Sequence, residues 1–271
     1  MLVKRSLKKT AKIASVTAVA LALAYFFPVV VAAFALCGLW DVSRNRGLDV
    51  GVLKQYFFKN GITTWLASPI NILLDIFALP FLNKGVYTLA ELPAGYQDEI
   101  GELIRRTDEL DVVGRLRSQT EGLSRAMYFF KWYGRNIESD LDIAEFHRQF
   151  RYVRTIGVSM FRGHESTSRH FGPFRPCLRV LYCLNKITNP NSYIKVGPVE
   201  NRWRAERLFI FDDTLLHQSF NESDEARYVL FVDILRPSYV NFVFDFAVFL
   251  IRTVFRGFNG VFYKNWKLVN N

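Results

Sequence analysis

The feature that most constrains the fold lies between residues 153 and 234, where short apolar segments alternate with turn residues. Five segments rich in β-branched and aromatic side chains predict strands at 153–161, 178–184, 192–196, 207–211 and 227–234. The residues between them are typical of turns, as in Gly172-Pro173, Asn189-Pro190 and Gly197-Pro198. Because no segment of this region has the period of a helix, the pattern predicts a mainly β fold, either a small antiparallel sandwich or a jelly-roll barrel.

Composition and charge restrict the partners of the chain. It has 271 residues, of which half are hydrophobic and 25 are phenylalanine, and its net charge is +10. A strongly basic protein favours an anionic partner, which is either nucleic acid or a membrane surface. We recognise no nucleic-acid-binding motif, and the basic residues cluster beside apolar segments. The sequence therefore favours a lipid partner in an anionic membrane and not nucleic acid.

The N-terminal region predicts membrane attachment. Residues 13–40 carry no charge, a longer stretch than the ~20 residues that a membrane helix needs. A retained anchor fits better than a cleaved signal peptide, because the apolar stretch is too long for a signal sequence. Pro28 is expected to kink this segment or to turn it back as a re-entrant helix. Five basic residues precede it and favour a cytoplasmic N-terminus: Lys4, Arg5, Lys8, Lys9 and Lys12.

Two further apolar segments leave the number of membrane crossings open. Residues 62–82 are interrupted by prolines and by Asn71 and Asp75, so they predict either a second crossing or an interfacial segment. Residues 239–255 are nearly all apolar, and basic and aromatic residues that include Trp266 and Lys267 follow them. This pattern favours a helix in the lipid headgroup region or a second anchor, and the alternative is a helix packed on the barrel.

Three other segments have simpler interpretations. Residues 97–116 have a helical period and predict a surface helix. Residues 126–134 are dense in aromatic side chains and predict a strand packed on the sheet, or else one wall of a site for an apolar substrate. The chain has three cysteines, and an odd number without metal-finger spacing favours a reducing compartment.

Two histidines have the sequence context of a metal site. His170 stands in a turn before one predicted strand, and His217 follows another. Each is followed along the chain by an arginine within an otherwise apolar strand, Arg179 and Arg227 respectively. Because a buried arginine is costly without an anion, each predicts either a bound carboxylate or a structural ion pair with an aspartate.

These residues carry a specific resemblance. The segment HFGP…LR…FDDTLLH…NESDEARYVLFVDILRP, within residues 159–237, resembles the aspartyl/asparaginyl β-hydroxylase family. The resemblance implies a double-stranded β-helix, a cupin-like jelly roll, and a dioxygenase that uses Fe(II), 2-oxoglutarate and O₂. It implies His170 and His217 as catalytic metal ligands and Arg227 as the anchor of the distal 2-oxoglutarate carboxylate. Arg179 and Ser159 would be further co-substrate contacts.

Two positions depart from the family pattern. The family commonly has Arg-x-His on the strand after the first histidine, and here the last position is Leu181. Some relatives have an aspartate two residues after the first histidine, where this chain has Gly172, so the metal would have two protein ligands. The open position could also admit a halide. We expect neither His164 nor Glu165 to supply a third ligand, and we expect His147 to be solvated.

Within the family the chain most resembles the bacterial lipid A 2-hydroxylases. The resemblance implies residues 1–90 as membrane anchor and interfacial segment, 91–237 as the catalytic jelly roll with its preceding helix, and 238–271 as a membrane-associated tail. It implies 2-hydroxylation of a lipid acyl chain at the bacterial inner membrane. The catalytic domain should face the cytoplasm, where ferrous iron and 2-oxoglutarate are found. The alternatives are a peptidyl aspartyl/asparaginyl β-hydroxylase and an inactive membrane-binding module, which Leu181 would favour.

Overall fold

The computed structural model of the chain describes residues 18–138 except 20 and 23, residue 141, and residues 143–254 and 266–269. Twelve strands lie within this part. They are β1 (Val86–Tyr87), β2 (Arg125–Trp132), β3 (Arg135–Asn136), β4 (Val153–Phe161), β5 (Glu165–Ser166), β6 (Cys177–Cys183), β7 (Ser192–Val196), β8 (Val199–Arg202), β9 (Leu208–Phe211), β10 (His217–Asn221), β11 (Arg227–Leu235) and β12 (Lys267–Leu268).

The strands form two sheets whose order is that of a jelly roll. The larger sheet runs β1-β9-β6-β11-β4-β2-β12, with β3 beside β2, and the smaller sheet runs β5-β10-β7-β8. Along the chain, β4, β6, β9 and β11 belong to the larger sheet and alternate with strands of the smaller one. This alternation of consecutive strands between the two sheets is the jelly-roll winding. The predicted mainly β jelly-roll fold is confirmed.

Five strands agree with the sequence prediction to within one residue at either end. The aromatic segment 126–134 is also a strand, because β2 pairs with β4 over most of its length. Strand β2 is an interior strand of the sheet, covered by β4 on one side and by β12 on the other. The interpretation of this segment as a strand is therefore confirmed.

Strand β11 shows why the segments predicted as strands have nearly continuous apolar sequence. All nine of its residues are buried. Side chains alternate between the two faces of a strand, so Leu230 and Val232 point to the outer layer of helices and Val229 and Phe231 to the space between the sheets. A strand covered on both faces is apolar at nearly every position, as the central strands of parallel sheets are, and its two charged residues, Arg227 and Asp233, are buried as well.

From residue 28 onward, eight α-helices lie within the part of the chain that the structure describes. They are α1 (Pro28–Ser43), α2 (Val50–Lys54), α3 (Ile62–Leu66), α4 (Ser68–Phe77), α5 (Ala94–Glu109), α6 (Val112–Thr120), α7 (Ala144–His147) and α8 (Asn241–Val254). A π-helical turn, Gln55–Lys59, continues α2, and a 3₁₀ turn, Leu89–Glu91, precedes α5. The predicted helix at 97–116 corresponds to α5 and α6, which cover the outer face of the larger sheet.

The first four helices, residues 28–77, are here called the helical cap. Residues 18–26, apart from 20 and 23, are helical as well, and the helix is interrupted at Phe27 before α1 begins with Pro28 in its first turn. A break at Pro28 is thus what the structure shows. It follows from the missing N–H of proline, which is tolerated only in the first turn of a helix.

The predicted membrane anchor is only partly within the described residues, because residues 1–17 lie outside them. Across the described part of the chain, no helix has both the length and the apolar character that crossing a membrane requires. The second apolar segment forms two short helices, α3 and α4. The anchor therefore stays a prediction.

The C-terminal segment packs on the barrel. Helix α8 buries Phe244 and Val248 against Cys177 and Leu235, while its outer face exposes Phe242 and Phe246. The alternative of a helix packed on the barrel is therefore the one that the structure shows, and the outer face remains apolar. Residues 255–265 of the expected membrane-associated tail lie outside the described part.

Two residues expected in that tail are instead part of the barrel. Trp266 stacks on Phe161 with ring centroids 4.9 Å apart, and Lys267 opens β12, which pairs with β2.

All three cysteines are free.

A buried ion-pair network joins the helical cap to the barrel. Arg175, fully buried before β6, contacts Asp41 of α1, lies 2.5 Å from Asp75 of α4, and lies 3.5 Å from Asp212 after β9. Arg44, which follows α1, also binds Asp212 at 3.0 Å. The remaining member, Arg236, follows β11 and binds Asp75 at 2.6 Å.

Removal of the central arginine should be costly. Arg175→Met leaves buried carboxylates without their counter-charge, so we expect the free energy of unfolding to fall by about 3–5 kcal/mol. Denaturant unfolding followed by tryptophan fluorescence measures this. Arg105→Met is the control, because Arg105 forms an exposed pair with Glu109 and its loss should change stability little. Equal effects of the two substitutions would contradict the role of the network.

Candidate active site

A cavity of about 390 Å³ opens between the two sheets and reaches the helical cap. All five residues that the sequence predicted for the site line it: Ser159, His170, Arg179, His217 and Arg227. They come from four strands of the two sheets, β4, β6, β10 and β11, and from the segment between β5 and β6. Residues far apart in sequence therefore meet because the jelly roll brings the inner faces of its strands together.

The two histidines are directly paired through their backbones. His170 N–H donates to His217 O at 3.1 Å, and His217 N–H donates to His170 O at 2.9 Å. This is an isolated antiparallel bridge at the end of the smaller sheet, where His217 begins β10. The ring centroids lie 4.2 Å apart. The pairing thus places both imidazoles on one wall of the cavity.

Hydrogen bonds fix the tautomer of both rings. His170 Nδ1 lies 2.7 Å from Ser168 O, and His217 Nδ1 lies 2.8 Å from Leu215 O. Because a carbonyl only accepts, each Nδ1 carries the hydrogen, and each Nε2 keeps its lone pair. Burial lowers the pKa of His170 and, further, that of His217, to which the neighbouring His170 also contributes. Neutral imidazoles with free Nε2 atoms are the form that binds a metal.

Arg227 is a buried cation without a counter-charge among the described residues. Its Nη1 donates to Phe220 O at 2.8 Å and its Nη2 to Ser219 Oγ at 2.9 Å, while its buried Nε has no partner. The guanidinium lies over the ring of Phe161, 4.7 Å from its centroid. Burial lowers the pKa of Arg227 to about 10. Such a group is costly unless an anion binds it.

Arg179 is already paired. Its Nη2 lies 2.9 Å from Asp213 and its Nε 2.7 Å from Asp233, and it stacks on Phe231. The structural ion pair, one of the two alternatives for this arginine, is thus present. Its role as a co-substrate contact stays a prediction. Leu181, two residues further along β6, lines the same cavity, as the strand period requires.

Ser159 lies on β4, directly opposite Val229 in the register with β11. In the same register Phe161 lies opposite Arg227. Ser159 is two residues from Phe161 on β4, so both side chains are on the face of the strand that lines the cavity. Its Oγ donates to Val229 O at 3.4 Å, a long contact that leaves the hydroxyl able to bind a ligand.

The other candidates lie apart from the site. His164 is exposed and pairs with Asp224 at 2.9 Å, while Glu165 pairs with Arg125 at 2.6 Å. His147 ends the short helix α7. Among the described residues no group of three histidine, cysteine or acidic side chains has the arrangement of a metal site.

Asp213 is the site residue that sequence reasoning missed. It was considered only as an ion-pair partner, yet it lines the cavity and its carboxylate fills the space beside Gly172. A Cβ at position 172 would lie 2.7 Å from the carboxylate oxygens of Asp213. Burial raises the pKa of Asp213, and Arg179 opposes that shift. The signal in the sequence was the glycine, because its missing side chain makes room for the carboxylate.

Trp203 was also missed. It lines the cavity beside Arg227, and its indole Nε1 is buried without a hydrogen-bond partner. It follows β8 in a segment with no local pattern that points to a site.

The comparisons with known proteins agree with this geometry. Residues 124–237 match the family model described as Aspartyl/Asparaginyl beta-hydroxylase. These residues are similar to that family. The matched segment contains the two histidines and the two arginines, so the resemblance inferred from the sequence is confirmed.

One curated relative is the ornithine lipid ester-linked acyl 2-hydroxylase of Rhizobium tropici. It is 33% identical over 88 residues, which is 31% of this chain and 31% of the relative. The match thus covers about a third of that protein's length.

Solved structures are more distant. A predicted oxalate decarboxylase from Thermotoga maritima is 16% identical with a TM-score of 0.26, over 31% of this chain and 67% of that one. A prolyl-4-hydroxylase from Pseudomonas putida is 16% identical with a TM-score of 0.26, over 30% of this chain and 50% of that one. At these scores the likeness carries no argument, and the jelly-roll assignment rests on the strand order.

The close approach of Gly172 and Asp213 predicts a coupled pair of substitutions. Gly172→Ala should lower the free energy of unfolding by about 1–3 kcal/mol, because the new methyl group collides with a carboxylate held by Arg179. In an Asp213→Ala background the same change should cost much less. Denaturant unfolding of both single variants and the double variant gives the coupling energy. Gly101→Ala is the control, because nothing lies within 4 Å of its Cβ. Additive effects would show that the two positions do not compete for space.

Proposed function

We propose that this protein is an Fe(II)- and 2-oxoglutarate-dependent dioxygenase that hydroxylates a lipid acyl chain. The observation that carries the proposal is one cavity lined by two neutral histidines with free Nε2 atoms and by a buried arginine that has no carboxylate partner in the described part of the chain. The first feature fits a metal with open coordination positions. The second fits the carboxylate of an anionic co-substrate.

His170 and His217 would hold the iron. Their Nδ1 hydrogen bonds orient the rings, and their low basicity keeps the Nε2 lone pairs available. With two protein ligands, the remaining positions are open to 2-oxoglutarate and O₂. Ferrous iron would supply the oxidative chemistry, in which decarboxylation of 2-oxoglutarate to succinate accompanies insertion of oxygen into a C–H bond.

Arg227 would bind the distal carboxylate of 2-oxoglutarate. The unpartnered Nε and the absence of a counter-charge among the described residues are what support this assignment. The apolar walls around it, from Phe161 and Trp203, exclude water and strengthen the charge-assisted pair. Ser159 lies on the adjacent strand and would contact the same co-substrate. Arg179 would contact it only while also remaining paired with its two aspartates.

A lipid substrate accounts for the surface around the cavity. Helices α4 and α8 are neighbours, because Leu74, Phe244 and Val248 share one buried cluster. Their outer faces expose large apolar side chains at 44–72%: Ile70, Leu73, Ile76, Phe242, Phe246, Phe249 and Leu250. Apolar patches of this kind mark contact with another apolar phase. The cavity itself is lined on the cap side by Thr63 and Thr64 of α3, the helix that precedes α4 in the chain.

The substrate class follows from these features and from the relative's name, which specifies 2-hydroxylation of an ester-linked acyl chain. Position 2 of the acyl chain of lipid A is our first choice, because lipid A combines a saturated chain with anionic groups that suit a chain of net charge +10. An ornithine lipid is the second member of the same class. We place the protein at the bacterial inner membrane, with the cavity on the cytoplasmic side, where iron and 2-oxoglutarate are supplied.

Substrate-stimulated turnover tests the proposal. We expect purified, iron-loaded protein to convert 2-oxoglutarate to succinate faster with lipid A or ornithine lipid in mixed micelles than with acidic peptides. Mass spectrometry should find a lipid product heavier by one oxygen atom. His217→Ala should abolish turnover because two-ligand sites have little redundancy, and His164→Ala, an exposed histidine, should not. Stimulation by aspartyl or asparaginyl peptides alone would favour the peptidyl alternative, and absence of any turnover would favour the inactive module.

The co-substrate assignment makes a separate prediction. Arg227→Met should weaken 2-oxoglutarate binding by about 30-fold or more, because a desolvated charge-assisted pair contributes roughly 2–5 kcal/mol. Both the KM and the quenching of tryptophan fluorescence on binding measure it. Arg207→Met is the matched control, since Arg207 pairs with Asp108 on the exposed side of the barrel. Equal affinities of wild type and Arg227→Met would assign the carboxylate to another residue.

A further inference from the structure

The neighbours of the two histidines are bound by the helical cap. His170 and His217 face each other in an isolated antiparallel bridge, and in the pattern of an antiparallel ladder Phe171 and Leu216 would form the next pair. In such a ladder, alternate pairs direct their N–H and C=O groups outward, away from the partner strand. The outward groups of Phe171 and Leu216 therefore need partners from outside the bridge.

Asn60 supplies the partners for Phe171. Its Oδ1 accepts from Phe171 N–H at 2.8 Å, and its Nδ2 donates to Phe171 O at 2.8 Å. One amide side chain thus makes the two hydrogen bonds that a neighbouring strand residue would make. Nδ2 also donates to Thr64 Oγ1 at 2.6 Å, which fixes the amide within the cap.

Asn45 has the matching role at Leu216. Its Oδ1 accepts from Leu216 N–H at 2.8 Å, and its Nδ2 donates to Val42 O at 3.0 Å. The carbonyl of Leu216 accepts from Gly197 N–H at 2.9 Å, so both of its outward groups are satisfied. Asn45 is itself buried, with 5% of its surface exposed.

The side chains of Phe171 and Leu216 are held by the helical cap as well. Phe171 and Leu216 are buried in one cluster with Val42, Val52 and Tyr56 of the cap, and Tyr56 meets the ring of Phe171 edge-on at 5.2 Å. The residue after His170 and the residue before His217 are therefore held by the cap through backbone and side chain alike.

Further amides extend the contact along the first histidine's segment. Gln55 Nε2 donates to Arg169 O at 2.8 Å, and Asn71 Nδ2 donates to Pro173 O at 3.1 Å. Together with Phe171, these are alternate residues, whose carbonyls lie on one edge of an extended chain. Side-chain amides of the cap thus take the place of a strand along this edge.

We infer that Asn45 and Asn60 are positioning residues that hold His170 and His217 in register for metal binding. The inference rests on the proposed iron site. A bridge of two hydrogen bonds, outside any longer ladder, is a weak constraint by itself, whereas a metal site needs its ligands within about 0.5 Å of their productive positions. The cap supplies the remaining constraint from both sides of the bridge.

Metal affinity tests the inference in the full-length chain. We expect Asn60→Ala and Asn45→Ala each to weaken binding of Co(II), used as the probe, by on the order of 10-fold, and the double variant more, as for other groups that orient metal ligands. The d–d absorption band of Co(II) reports both affinity and geometry. Gln97→Ala is the matched control, because Gln97 binds the carbonyls of Ala90 and Leu92 away from the cavity. The Tm of each asparagine variant is compared with that of Gln97→Ala, which shows whether a general loss of stability accounts for the weaker binding.

A folded double variant with wild-type Co(II) affinity and spectrum would overturn the inference. If wild type itself binds no Co(II), the proposed iron site fails, and amide hydrogen exchange decides the inference instead. Loss of Asn60 should then accelerate exchange at the amides of both His170 and His217, since the backbone N–H of each donates to the carbonyl of the other. Unchanged exchange at His217 would overturn it.

Discussion

The burial of positively charged side chains is the constraint on which the rest of the structure depends. Arg175, Arg236 and Arg227 are all buried, with 0%, 2% and 3% of their surface exposed. The first two meet aspartates of the helical cap and of the loop after β9, and these pairs hold the cap to the barrel. Arg227 meets no carboxylate among the described residues. An isolated buried charge costs several kcal/mol. This cost explains why Arg175 and Arg236 are paired with aspartates, and it is the reason for the proposal that Arg227 binds an anionic ligand.

Much of the fold could be predicted because it depends on local pattern. Strands such as β6 and β11 are apolar at nearly every position and are bounded by turn residues, so their ends were predicted to within one residue. Both arginines of the site were found for a related reason, since a charge within an apolar strand needs an explanation. What the pattern could not supply was the partner. Arg179 and Arg227 occupy similar sequence contexts, and only tertiary structure brings two aspartates to Arg179 and, among the described residues, none to Arg227.

The apolar segments outside the barrel were harder to interpret for a physical reason. A membrane helix and a helix buried on one face in the protein both require long apolar sequence, and hydropathy alone does not separate them. Helix α8 carries phenylalanine on its inner and outer faces, so its sequence looks uniformly apolar although Phe244 is buried and Phe242 is exposed. Helix α4 likewise buries Leu74 and exposes Leu73 and Ile76. Such helices are suited to lie between a barrel and a lipid surface, which is consistent with the proposed substrate.

The site residues themselves do not define the functional unit. The family match begins at residue 124 and includes both histidines, and the sequence placed the boundary of the catalytic region near residue 90. Yet Asn45 and Asn60 bind the residues beside those histidines, and Asp41 and Asp75 neutralise the arginine that precedes β6. An asparagine that binds a backbone far along the chain has no local signature, since its partner is an amide group that every residue carries. A boundary drawn from composition therefore separates the ligands from the side chains that orient them, and the cap belongs with the barrel.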